Sequence, residues 1–464
     1  MSVIATRSEY PARLIALATI GIVCLGLFVA LLPVVAGVAV IAVLVVLAVV
    51  PRSMSKDVEY FAAAILLMSV LSVLPGQVQF GPVTLGGVLT VLEVVVAVLL
   101  LVHDSGRLGA AWHSMWPLIG FLLWSWLSLL QAGVSVDGLQ NAVVFTGFIA
   151  VATVAYVRTL DDQTFAQHLQ TLFERSFWLL VVLGVVSIVR LGPGRGFLVP
   201  EHGTSRSFAL LLLPMIASGL SRWRYGDRKH GLAMATLGLA LVALSLSRAS
   251  FVIGCSLFAL ARLKPRSLVG FARVVTGLII AAALLWAGIR FIPPLHDRFF
   301  QSHGDLVDVG GYTFSATGRT ELWSLTWHQF EESPWIGQGA GASEEYLTAL
   351  GGASHPHNDY LRLLFDYGIV GTALWTLGIV LIMTTLFRDW RRWDGTRDPK
   401  AGTELWALLS IAAFLAAMIT ANPLVYMHVQ GPLGLIVALP SRPPLGNEPL
   451  SSARGHHGER RRRQ

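Results

Sequence analysis

The sequence predicts an all-α polytopic membrane protein of about 12–14 transmembrane helices, with one long extracytoplasmic loop bearing a short amphipathic helix. Three observations predict it. Of 464 residues, 54% are hydrophobic and only 13% charged, whereas a soluble domain carries about 25% charged residues. Apolar runs close to the roughly 20 residues of a bilayer span recur along the chain. Lys and Arg are unevenly divided between alternate connections, as cytoplasmic loops require.

Taken in order, the apolar runs are 14–32, 34–50, 59–74, 83–102, 112–130, 139–157, 177–190, 207–220, 231–246, 249–261, 269–289, 361–387, 403–421 and 425–440. The runs 177–190, 207–220 and 249–261 are short for a span. The first run is followed at once by a second, so it reads as a span and not a cleaved leader. Cys24 and Cys255 both lie inside apolar runs and read as small buried hydrophobes, not a disulfide or a thiolate metal site.

With the N-terminus inside and the runs alternating, 26 of the 34 Lys and Arg fall in inside segments and 8 outside. This bias places both termini in the cytoplasm. It also accounts for the net charge of +7, as basic loops facing anionic lipid. The basic residues are scattered over many loops, which argues against a nucleic-acid partner.

Four parts follow: N-terminal transmembrane helices over 1–289, an extracytoplasmic loop over 290–358, C-terminal transmembrane helices over 359–440 and a disordered cytoplasmic tail over 441–464. The loop is far longer than ordinary connections, and such loops are functional or disordered. In "TGRTELWSLTWHQFEESPWIGQGAGA", Leu322, Trp323, Thr326, Trp327 and Phe330 recur on one helical face, with Thr317 or Thr320 as cap and Pro334 beyond the end. This predicts an ordered loop with a helix at the membrane interface.

Among the outward arginines, Arg248 in "ALSLSRASFVIG" sits between two apolar runs with almost no loop. A charge there needs an anion or an aqueous cavity, unless it only snorkels. Arg319 opens the amphipathic helix and Arg206 begins another run on the same side. A solvated charge and a helix-end anchor, respectively, explain these two as well. Together the three suit a phosphate-bearing lipid, because guanidinium pairs with phosphate oxygens through two parallel hydrogen bonds. Helix N-termini after Ser205 and Thr317 add donors.

His355 and His357 stand just before the run that begins at 361, followed by Asn358 and Asp359. An imidazole can take a proton from a hydroxyl at neutral pH, and Asn358 or Asp359 would orient a ring or a substrate hydroxyl. A polar loop residue is the plainer reading of a lone histidine. A metal set completed by Asp359 or His303 is disfavoured: no HExxH pattern and no carboxylate cluster lies nearby in sequence. Glu93 is nearly the only acid within a run and reads as a satisfied buried acid. With no internal repeat evident, a flippase or exporter is the least favoured class.

"HPHNDYLRLLFDYGIVG" resembles the His-Asn-x-Tyr-Leu…Gly-x-x-Gly signature of the O-antigen ligase and polymerase family. "TGRTELWSLTWHQFEESPWIGQGAG" is similar to its Gly-Arg…Trp…Pro-x-x-Gly-x-Gly segment, and "SLSRASFV" to its Ser-Arg-Gly/Ala element, with alanine after Arg248 where glycine is common. The resemblance covers about 245–390 in detail. It implies a metal-independent, inverting glycosyltransferase of the bacterial cytoplasmic membrane, active at the extracytoplasmic face. The donor would be undecaprenyl-diphosphate-linked glycan and the acceptor a glycan or glycolipid. The resemblance also implies no cofactor, the 290–358 loop as the catalytic one, and a chain-length regulator and flippase as pathway partners. Carried over, His357 is the catalytic base and Arg248 and Arg319 bind diphosphate; Arg206, for diphosphate, and His355, for orienting or binding the acceptor, are weaker correspondences. Polymerisation of surface polysaccharide is the leading reading, with ligation to a lipid A core or another acceptor as the alternative.

Overall fold

The computed structural model describes residues 57–71, 79–80, 83–103, 108–162, 164–191, 204–262, 306–309, 312–315, 319–350, 355–395 and 400–437, with isolated positions between 276 and 291. The expected spans 14–32 and 34–50, most of 269–289, His303, Thr317 and the tail 441–464 lie outside the described residues.

The described helices are α1 (Asp57–Leu71), α2 (Leu85–His103), α3 (Leu108–Ala132), α4 (Val136–Asp161), α5 (Phe165–Leu191), α6 (Thr204–Tyr225), α7 (Arg228–Leu244), α8 (Arg248–Leu260), α9 (Arg319–Glu332), α10 (Ala342–Ala349), α11 (Asp359–Trp393), α12 (Lys400–Ala417) and α13 (Met427–Val437). Two small antiparallel hairpins accompany them: β1 (Gln79–Phe80) with β2 (Val83–Thr84), and β3 (Leu306–Val309) with β4 (Tyr312–Ser315). The chain is a multi-pass, helical membrane protein. Among the described residues, five stretches are long and apolar enough to cross a bilayer: Ala111–Gln131, Val136–Leu160, Phe165–Val189, Asp359–Trp393 and Lys400–Ala417.

Packing divides the helices by surroundings. Helix α6 buries Phe208 to Leu213 and Met215 to Ala217, and α12 buries almost every side chain from Ala401 to Ile411. A helix apolar and buried all round is a core helix. By contrast, α3 and α5 leave Trp112, Trp116, Leu123, Leu127, Trp178, Val182 and Val189 exposed, an apolar surface of the kind that faces lipid. Helix α5 begins at Phe165, well before the expected run 177–190, because Gln167, His168 and Gln170 interrupt the apolar pattern without breaking the helix. Glu93 is buried on α2, but its Oε1 has no hydrogen-bond partner among the described residues, so the expected satisfied acid is not satisfied at that oxygen.

The expected span 361–387 lies within the longer α11, which is kinked and not straight. Gly368 sits at φ 64°, ψ −169°, a backbone region open to glycine. At the kink the Tyr367 carbonyl accepts from the Trp124 indole of α3 at 3.0 Å. The chain from Pro334 to Gly339 plugs the other broken bonds. Gln338 N donates to Phe365 O at 2.8 Å, Gly339 N to Asp366 O at 3.0 Å, Ile369 N to Pro334 O at 2.8 Å and Val370 N to Trp335 O at 3.1 Å. Satisfying these groups is obligatory in a dry interior. The connection after α9 is thereby tied to the first half of α11.

Candidate functional site

Three helices bring an arginine each to one cavity by their first turns. Arg206 is the third residue of α6, Arg248 the first of α8 and Arg319 the first of α9. The cavity, about 60 Å³, is lined by these three with Leu210, Ser247, Ser250 and Thr420 among others. Sequence spacing between them is large, and the fold closes it.

Arg248 owes its place to a tight reversal. Between α7 and α8 the chain turns in three residues, with Leu246 in the left-handed region at φ 55°. Ser245 Oγ accepts from Ser247 N at 3.3 Å, and Ser247 Oγ donates to Ser250 Oγ at 3.0 Å. The serines of "SLSRAS" thus shape the turn that presents the arginine.

Three cations in one partly buried place repel one another. Burial first, and then the charges of Arg206 and Arg248, pull the Arg319 guanidinium down to about 10. Arg319 Nε is buried with no hydrogen-bond partner among the described residues. Three helix N-termini add positive ends to the same cavity. Everything here favours an anion with several oxygens.

Adjoining this cavity is an apolar groove of about 370 Å³. It runs between α8 and α12, lined by Val252, Leu257, Leu260, Ala413 and Ala416. Ala249, Ile253 and Thr420 line both spaces. A cationic head site therefore opens onto an aliphatic track.

His357 stands on the loop that enters α11. It adopts φ 54°, uncommon for a side-chain-bearing residue. The loop is held from outside by the Trp323 indole of α9, which donates to Pro356 O at 2.9 Å. So Trp323 faces protein, while Trp327 is exposed. Thr320 lies inside α9 and not at its cap. His357 Nδ1 is 3.2 Å from the side-chain amide of Asn422. Burial, then the charges of Arg206, Arg319 and His355, push the ring down to about 4. His357 is therefore a neutral imidazole at neutral pH, electrostatically linked to the arginine cavity.

His355 has other company. Its Nδ1 lies 3.0 Å from Glu344 Oε1 on α10. Glu344 also pairs with Arg362 of α11, whose Nε is 3.5 Å from Asp366 Oδ2. Burial opposes ionisation of Glu344, yet Arg362 and His355 together hold its carboxyl below the usual range. The carboxylate missed near the histidines comes from α10, a helix the sequence pattern does not announce.

Asn358 is the N-cap of α11: its Oδ1 accepts from Tyr360 N at 3.1 Å and Leu361 N at 3.2 Å. Asp359 is fully buried; its backbone N–H donates to Met418 O at 2.8 Å and its Oδ2 accepts from Leu424 N at 2.8 Å. These two residues pin the start of α11 to the segment between α12 and α13, which leaves Asp359 no surface for an acceptor. Among the described residues, the His–carboxylate group with metal-ligand spacing is Glu59, Asp162 and His168. None of the three lines the arginine cavity.

Residues 232–376 match the family model described as O-antigen ligase. The matched stretch contains Arg248, Arg319, His355 and His357. No curated protein matches the chain.

Proposed function

We propose that this membrane protein, a glycosyltransferase-like enzyme by its match to the O-antigen ligase family, transfers glycan from undecaprenyl diphosphate to an acceptor sugar hydroxyl. The observation that carries this reading is the convergence of Arg206, Arg248 and Arg319 on one cavity, linked electrostatically to His357 and continuous with an apolar groove. A lipid diphosphate has that shape: an anionic head with several oxygens on a long aliphatic tail.

The chemistry follows from the residues. The acceptor hydroxyl attacks the anomeric carbon of the donor sugar, and the bond from that carbon to the diphosphate oxygen breaks. The hydroxyl proton passes to the free ring nitrogen of His357. Charge appears on the leaving diphosphate, where guanidinium groups already stand. Donors fixed in advance at the place where charge develops lower the barrier most effectively, and the base adds about 10²–10⁴-fold. A single displacement inverts the anomeric centre. No step in this scheme calls on a metal ion. The reaction is placed at the extracytoplasmic face, on the Lys and Arg distribution.

The leading reading is polymerisation of lipid-linked repeat units; the description of the matching family keeps ligation beside it. Purified protein in bilayers, given lipid-linked repeat units alone, separates them. A ladder of products means polymerase. Reaction only after a lipid A core or another acceptor is added means ligase. Absence of transfer with any acceptor defeats the proposal.

A further inference from the structure

The His357 ring has two nitrogens, and only one is open for chemistry. Nδ1 faces the amide of Asn422, which is 2% exposed and sits 65 residues away in sequence. Which nitrogen carries the proton in a neutral imidazole is decided by the partner of the other.

Asn422 does not drift into this contact. It lies in the connection between α12 and α13, whose earlier residues Thr420 and Ala421 line the arginine cavity. Asp359 clamps that connection at both ends, through Met418 O and Leu424 N, each at 2.8 Å. Gln430 Nε2 donates to Leu424 O from within α13. Tyr360 Oη donates to Leu415 O at 3.0 Å. Two segments, one bearing the ring and one the amide, are thus fastened together on both sides of the contact.

An amide offers NH₂ on one side and an oxygen on the other, and half a turn exchanges them without moving another atom. With the nitrogen toward Nδ1, the ring proton would sit on Nε2. The ring would then show a donor toward Arg206 and Arg319, and would hold no lone pair for a hydroxyl proton. With the oxygen toward Nδ1, the ring donates Nδ1–H and keeps an Nε2 lone pair, which neighbouring cations favour. We infer that Asn422 is a positioning residue: its side-chain carbonyl accepts Nδ1–H of His357 and so fixes the tautomer in which Nε2 is the base. This inference rests on the transferase reading above.

The test uses full-length protein in bilayers, labelled with ¹⁵N-histidine. The His357 signals are those that vanish in His357→Gln. The wild-type ring is expected to carry its proton on Nδ1. Transfer by Asn422→Ala is expected to fall at least about tenfold, a part of what a general base supplies. Asn422→Asp can only accept, so it should outperform Asn422→Ala. It also adds a negative charge beside the ring, which already faces Arg206, Arg319 and His355, with Asp359 turned away onto Leu424 N. The added charge favours imidazolium, so the rise of activity with pH should move to higher pH in Asn422→Asp. A wild-type proton on Nε2, or an Asn422→Ala enzyme with unchanged rate and pH profile, overturns the inference. The wild-type spectrum needs no variant to fold. If His357→Gln itself transfers normally, His357 is not the base; if wild type transfers to no acceptor, the transferase reading fails instead, and these failures are separate.

Discussion

Gly337 and Gly368 face each other backbone to backbone: a Cβ built on Gly337 would lie 2.5 Å from Asp366 O, and one on Gly368 would lie 2.5 Å from Gly337 N. The glycine-rich run after α9 and the Gly-x-x-Gly of α11 are therefore two halves of one joint. Both glycines also hold positive φ, 78° and 64°. Gly368→Ala should cost the roughly 1–3 kcal/mol of a side chain in a backbone region that is essentially glycine-only, with the clash in addition. Thermal unfolding in detergent should show a clear drop for Gly368→Ala; a wild-type profile would mean that the joint is looser than its hydrogen bonds imply.

Glu344 is the shared partner of His355 and Arg362. Glu344→Gln leaves Arg362 buried with Asp366 as its remaining partner at 3.5 Å, and removing one member of a buried pair costs about 3–5 kcal/mol. The unfolding temperature of Glu344→Gln should fall well below that of His355→Ala, whose side chain reaches the surface. Equal stabilities would place the weight of the network on His355.

The arginine cavity predicts a difference between charge and shape. Arg248→Lys and Arg319→Lys keep the charge but lose the planar fork. Losing one charge-assisted hydrogen bond, about 1.5–3 kcal/mol, should weaken binding of a long-chain prenyl diphosphate by about 10–100-fold. Equilibrium binding to protein in nanodiscs measures this. Undiminished affinity in both lysine variants would make these arginines simple anchors.

How much of this was legible beforehand depends on the residue. The arginines announce themselves, because a charge at a helix start between apolar runs needs a reason. His357 is marked by the short His-Asn pattern. Asn422 and Glu344 carry no such mark: one lies in an unremarkable polar turn, the other on a helix of eight residues. Their roles come from contacts across 65 residues to His357 and 18 to Arg362, which no local period encodes. The kink at Gly368 was hidden for a related reason. The apolar run continues through it, and only the long-range fit of Gly337 shows why a break is needed.

His357 should also mark the pH dependence. Burial and the neighbouring cations lower its pKa to about 4, so the base form persists down to that pH and is lost as pH falls through it. A diphosphate among the arginines would offset Arg206 and Arg319 and allow the ring to protonate more easily. The acid limb of kcat/KM, which reports the free enzyme, should therefore lie near pH 4, and that of kcat at higher pH. Coincident limbs would show that the anion does not sit where His357 feels the arginines.

The most direct measurement is single-turnover transfer from a lipid-diphosphate-linked glycan to acceptor by His357→Ala, reconstituted beside wild type. The variant should stay folded and bind the lipid diphosphate, yet transfer at least about 10²-fold more slowly. Transfer at the wild-type rate would contradict the assignment of His357 as the base.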